Sequence, residues 1–152
     1  MTARERVCHS SRNVVSCRAC APHLKSSVRR LLGKNQLSES DIQKAIQSHL
    51  ARNLELKKLI VSKGVGLDER RTIDLHFWAY GEGAAHDLVV ALETAGYSVS
   101  VSKPSEGDPS LWNVESQLKT SPLEVTTPLF VERLVRLAAD NRAEFDGWGT
   151  SI

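Results

Sequence analysis

The sequence predicts an α+β domain in which two helices cover one face of an antiparallel sheet, and three observations predict it. The stretch "TIDLHFWAY", residues 72–80, alternates apolar and polar side chains, the period of a strand with one buried face. "GEGAAHDLVVALETAG" and the stretch after Thr127 instead place apolar residues at helical spacing. From residue 72 onward the order is strand, helix, strand, strand, helix and a short final segment.

Order begins at "LSESDIQKAI". Ser38 and Asp41 stand at capping-box spacing ahead of Ile42, Ile46, Leu50 and Leu54, so a helix starts here. Its apolar pattern then shifts to Leu56, Leu59 and Ile60 before Gly64, a left-handed stop, which allows one bent helix or two. In the strand that follows, Ile73, Leu75, Phe77 and Ala79 point one way and Thr72, Asp74, His76, Trp78 and Tyr80 the other. The next helix buries Ala85, Leu88, Val89, Leu92 and Ala95 and ends at Gly96. "YSVSV" alternates Tyr97, Val99 and Val101 with serines, and the turn-rich "SKPSEGDPS" returns it through "LWNVESQL" as a hairpin. There Trp112, Val114 and Ser116 oppose Asn113, Glu115 and Gln117. Thr127 caps a last helix with Pro128 at its first position and Phe130, Leu134, Leu137 and Ala138 as its buried stripe. This order is the split βαβ, ferredoxin-like plan. The closing "EFDGWGTSI" is then its fourth strand or a plug beside one. Phe145 or Trp148 would pack inward, with Gly147 and Gly149 permitting close backbone approach.

Charge divides the chain in two. Residues 1–37 hold eight Lys/Arg against one acid, a net +7, whereas residues 38–152 hold twelve against seventeen, a net −5. The first segment is read as a basic, disordered arm and the second as one α+β domain, since 115 residues suffice for a single core. Arg and Ser without acids are also the make-up of an organellar transit peptide. No apolar run is long enough to span a bilayer and no secretory block opens the chain, so the expected setting is soluble and cytoplasmic, away from membranes. An acidic folded surface favours basic protein partners over nucleic acid.

All three cysteines, Cys8, Cys17 and Cys20, lie in the arm, and an odd count argues against a closed disulfide framework. With His23, Cys17 and Cys20 give the first half of a zinc knuckle, and Cys8 is a further donor. The second half is missing, so these residues are weighed as metal candidates and set aside; no metal or cofactor is expected. His49 and His86 fall on helices with no nucleophile or paired carboxylate nearby. No phosphate loop or catalytic triad is present, and the chain reads as a non-enzyme.

"EFDGWGT" after a helix ending "LVRLAADN" resembles the regulator of ribonuclease E activity B (RraB-like) family, whose members close their domain with a Tyr/Phe-Asp-Gly-Trp motif. The resemblance runs back through "LWNVESQL", "LETAGYSV" and "IDLHFWAY" to a leading helix near "NLELKKLI". It implies a ferredoxin-like, non-catalytic protein that binds ribonuclease E and inhibits its RNA cleavage. Phe145, Asp146, Gly147, Trp148 and Gly149 match the motif, either as a partner contact or as the closure of the fold. A second surface is independent of the resemblance: His76, Trp78 and Tyr80 share the sheet face that the helices leave open. Open-face aromatics are how RNA-recognition modules stack bases. The neighbours here, Ser98, Ser100, Asn113 and Glu115, bring no cation for phosphate, so a protein-binding face ranks above an RNA-binding module that would use the basic arm.

Overall fold

The computed structural model describes residues 14–16 and 37–152. Its elements are β1 (Val14–Ser16), α1 (Glu39–Ser62), β2 (Arg71–Tyr80), α2 (Glu82–Thr94), β3 (Ser98–Pro104), β4 (Leu111–Thr120), α3 (Pro122–Val125), α4 (Pro128–Asp140) and β5 (Ala143–Ser151). The strands form one antiparallel sheet in the order β1-β5-β2-β4-β3. The predicted antiparallel α+β architecture is present, and the C-terminal segment is a strand, paired along most of β2.

Local chemistry sets the helix ends. Ser38 caps α1 by accepting from the Asp41 amide at 3.2 Å, and Thr127 caps α4 by accepting from the Phe130 amide at 3.3 Å, with Pro128 in the first turn. Both α1 and α2 close in the same way. Val65 N–H donates to Ile60 O and Gly64 N–H to Val61 O, while Tyr97 N–H donates to Leu92 O and Gly96 N–H to Glu93 O. That is the Schellman arrangement, with the glycine in the left-handed position. α1 is a single helix of 24 residues. The sequence did not anticipate α3, which is four residues long and too short to show a period; Ser121 caps it by accepting from the Glu124 amide at 3.2 Å.

One core joins the layers. Ile73, Leu75, Phe77 and Ala79 of β2 are all fully buried and cluster with Leu88 and Leu92 of α2, Val131, Leu134 and Ala138 of α4, and Ile46, Leu56 and Ile60 of α1. α1 therefore joins the helical side, and its Glu39 is clasped by Arg136 of α4 at 2.7 Å. That pairing lowers the Glu39 carboxyl to about 2 through the guanidinium hydrogen bond first and the Gln43 amide second.

Three expectations are corrected. Leu54 and Leu59 are exposed, because the buried stripe of α1 is Ile42, Ile46, His49, Asn53, Leu56 and Ile60, spaced 4-3-4-3-4 with two polar members. Ser100 is an extra residue in β3, which shifts register so that Val101 pairs with Glu115. Val101 thus crosses to the face opposite Val99, and the simple alternation fails. Part of the arm joins the sheet as well: Val14, Val15 and Ser16 pair with Ser151, Thr150 and Gly149. Leu37, the last residue of the arm, packs against the core, and the other arm residues, with Cys8, Cys17, Cys20 and His23, lie outside the described residues.

Candidate functional site

The C-terminal motif divides between the two faces of the sheet. Through its pairing with β2, β5 sends Ala143, Phe145, Trp148 and Thr150 to the core face, beside Ala79, Phe77, Leu75 and Ile73. Phe145 is 4% exposed and Trp148 2%. An extra residue is needed between Phe145 and Gly147 to put both aromatics inward, and Asp146 is that residue: Phe77 pairs with Phe145 while His76 pairs with Gly147. Gly147 takes φ 139° at this bulge, a backbone that L side chains avoid.

Two buried hydrogen bonds lock α1 onto this strand. Trp148 Nε1–H donates to Asn53 Oδ1 at 3.0 Å. His49 Nε2 lies 3.0 Å from Phe145 O, and Arg52 Nη2 lies 2.9 Å from His49 Nδ1. A carbonyl only accepts and a guanidinium only donates, so the hydrogen sits on Nε2 and the lone pair on Nδ1. The imidazole packs tilted on the Phe145 ring at 4.7 Å, and that ring packs on Phe77 at 5.3 Å. The sequence reading passes over Asn53 because it is polar and sets His49 aside for want of a nucleophile or paired carboxylate. The signal that finds them is the spacing: a stripe through Ile42, Ile46, Leu56 and Ile60 must pass through positions 49 and 53.

This environment holds His49 neutral. Burial lowers its pKa to about 4, with the Arg52 charge acting the same way and the Phe145 carbonyl opposing. Since the folded value lies below the ordinary 6.5, the unfolded chain binds the proton more tightly. Stability from this group is therefore complete above pH ~6.5 and declines as pH falls toward ~4, by at most about 3 kcal/mol. Urea midpoints measured from pH 7 to pH 4 are expected to fall along that window. In His49→Leu the slope is expected to flatten, while stability at pH 7 drops because the Phe145 carbonyl loses its donor.

The opposite face carries the second set of residues. Its rungs, read across β5, β2 and β4, are Gly149–Asp74–Gln117, Gly147–His76–Glu115 and Glu144–Trp78–Asn113, and Tyr80 stands beside Leu111 at the end. The motif's two glycines thus lie on this face, Gly147 beside His76 and Gly149 beside Asp74. Tyr80 Oη–H donates to Glu144 at 3.2 Å, Asn113 donates to Glu115 at 3.0 Å and Gln117 donates to Asp74 at 2.7 Å. His76 is 8% exposed and stands 3.6 Å from Glu115. Asp146, 6% exposed, sits at the bulge. Carrying β3 into the rungs adds Ser98, Val101 and Lys103, so Lys103 at the far edge is the one cation among the described residues of these three rungs. The arrangement is an acidic, aromatic-lined surface without a nucleophile beside a base. Among the described residues no cluster of His, Cys, Asp or Glu could hold a metal ion, and no helix is long and apolar enough to cross a membrane.

A family model described as "Regulator of ribonuclease activity B" matches residues 51–150, from the second half of α1 through Thr150. The match includes Asn53, the open face and the whole Asp-Gly-Trp-Gly motif, and it leaves out β1 and the basic arm. No curated protein matches the chain.

Proposed function

The chain belongs to the regulator of ribonuclease activity B family, and on that premise we propose that it binds ribonuclease E and inhibits its endonucleolytic cleavage, acting in the cytoplasm on RNA turnover with no chemistry of its own. The strand order β5-β2-β4-β3, with a helix in each crossover, supports reading the scaffold as ferredoxin-like. The observation that carries the binding mode is the open face, where Asp74, Glu115 and Glu144 occupy successive rungs beside Trp78 and Tyr80. Carboxylates next to aromatic rings suit Arg-rich protein segments, since a guanidinium pairs bidentately with the former and stacks on the latter. They repel a phosphate backbone, which removes the main source of RNA affinity. The partner segment is therefore basic and the contact is with protein.

The test is cleavage of a structured RNA by ribonuclease E with the purified full-length protein titrated in, binding to nuclease and to RNA being recorded separately. Dose-dependent inhibition with binding to the nuclease alone is the expected result. It is expected to weaken as salt rises and screening shortens to about 8 Å at physiological strength and about 3 Å at 1 M. Binding to RNA without binding to the nuclease would replace this reading with the RNA-binding module. Unaltered cleavage with neither contact would leave the family fold serving another partner.

A further inference from the structure

α1 carries a second line of residues on the side turned away from the core. Lys44, Gln47, Ala51, Leu54, Lys58 and Val61 are all exposed, and they keep the alternating spacing of three and four that the buried stripe shows. Two positions along a helix is a turn of about 200°, so Lys44, Ala51 and Lys58 stand opposite the buried Ile42, His49 and Leu56. Leu54 is 56% exposed and Val61 55%. A line of this period is the one along which a helix meets another helix, and Ala51 at its middle permits close approach.

The charges of α1 say which helix fits. Residues 39–50 hold Glu39 and Asp41 against Lys44, a net −1, whereas residues 51–63 hold Arg52, Lys57, Lys58 and Lys63 against Glu55, a net +3. That distribution suits the helix's own dipole, and it also makes α1 complementary to a second α1 running the opposite way. A two-fold axis between Ala51 and Leu54 sets each Leu54 on the other copy's Ala51, Lys58 over the other copy's Gln47, and Lys63 beside the other copy's Asp41. A parallel pair would stack Lys57, Lys58 and Lys63 on their own counterparts. The two lysines of the line already have carboxylates beside them, Asp41 at 3.9 Å from Lys44 and Glu55 at 2.8 Å from Lys58. A surface of mixed sign suits a copy of itself and not an anionic lipid surface.

We propose that α1 is the seat of a homodimer, two copies packing their α1 helices antiparallel about a two-fold axis near Ala51 and Leu54. One helix pair is a small contact, so the dimer belongs to the weak class and dissociates in the micromolar range. Neither the open face nor the arm takes part, and the dimer is independent of the docking reading above.

Sedimentation velocity of the full chain tests it, run from low micromolar to near-millimolar concentration under reducing conditions so that the cysteines cannot link copies. Wild type is expected to pass from monomer to dimer. Leu54→Glu is expected to weaken the dimer at least ten-fold and to keep the wild-type urea midpoint, because the side chain is on the surface. Val90→Glu, the same change at a 50% exposed residue of α2, should leave the dimer unaltered. Wild type that stays monomeric throughout, growth beyond the dimer, an unaltered dimer in Leu54→Glu, or loss of the dimer in Val90→Glu would each overturn the proposal; a monomer that sediments with phosphatidylserine vesicles would give the line to a lipid surface instead. Orientation is read from electron–electron distances in Cys8→Ser/Cys17→Ser/Cys20→Ser protein labelled with a nitroxide at Ser48→Cys or at Ser62→Cys. These positions share one flank of α1, so the antiparallel pair makes the distance between copies longer at 62 than at 48, by roughly 10 Å. Equal distances would mean a parallel pair and would overturn the arrangement.

Discussion

Trp148→Ala is expected to lower the unfolding free energy by about 3–5 kcal/mol, the range for deleting a buried aromatic, which is a large share of the roughly 5–15 kcal/mol that holds a domain folded. The indole is 2% exposed and packs in the core shared with Leu56, Leu75 and Phe145. Its loss opens a cavity where α1 meets the sheet and also strips Asn53 Oδ1 of its donor. Trp148→Phe separates the two effects: most of the apolar volume stays while the buried amide oxygen goes without its N–H, so about 1–3 kcal/mol is expected. Urea unfolding monitored by far-UV circular dichroism checks both variants. A wild-type midpoint in Trp148→Ala accompanied by lost inhibition would make the motif a partner contact. The expected pattern is the reverse, with inhibition per folded molecule retained and the fold weakened.

The same strand shows where sequence reasoning reaches and where it stops. Strand β2 was legible because its neighbours agree with its period, Ile73, Leu75, Phe77 and Ala79 being fully buried and the intervening residues facing the open side. The helix caps were legible because Ser38, Thr127 and Pro128 act through their own backbone neighbours. Partners distant in sequence were not. His49 and Phe145 are separated by 96 positions, Asn53 and Trp148 by 95, and polarity at a buried position is sensible only once the distant donor or acceptor is known. Bulges hide for a related reason: one extra residue at Ser100 or Asp146 moves everything after it to the other face, and nothing local to those residues announces the shift. β1 was invisible because three residues are too few to show a period, and what makes them a strand is the edge that β5 offers. The open face was half legible, since His76, Trp78 and Tyr80 were found from alternation, while Gly147 and Gly149 fall beside His76 and Asp74 only after β5 is placed in register.

Charge reversal on that face supplies the second large effect. Replacing Asp74, Glu115 and Glu144 with lysine turns three attractions for a basic segment into three repulsions. Single rim charges change affinity modestly, but like charges brought together cost several kcal/mol. On the proposed docking to ribonuclease E, the triple variant is therefore expected to inhibit several hundred-fold more weakly, about 3–4 kcal/mol. The core does not include these side chains, so the urea midpoint should stay close to wild type, which distinguishes a lost contact from a lost fold. Neutralising Arg4, Arg6 and Arg12 separates this reading from an RNA-binding module. A contact made by the acidic domain keeps its affinity for the nuclease when the arm loses charge, so inhibition is expected to survive. Were the +7 segment a phosphate-binding extension, the same substitutions would weaken RNA binding and inhibition together, because each lost cation removes a phosphate contact. The charge-reversed face and the neutralised arm, titrated side by side, therefore decide between a protein contact and an RNA contact.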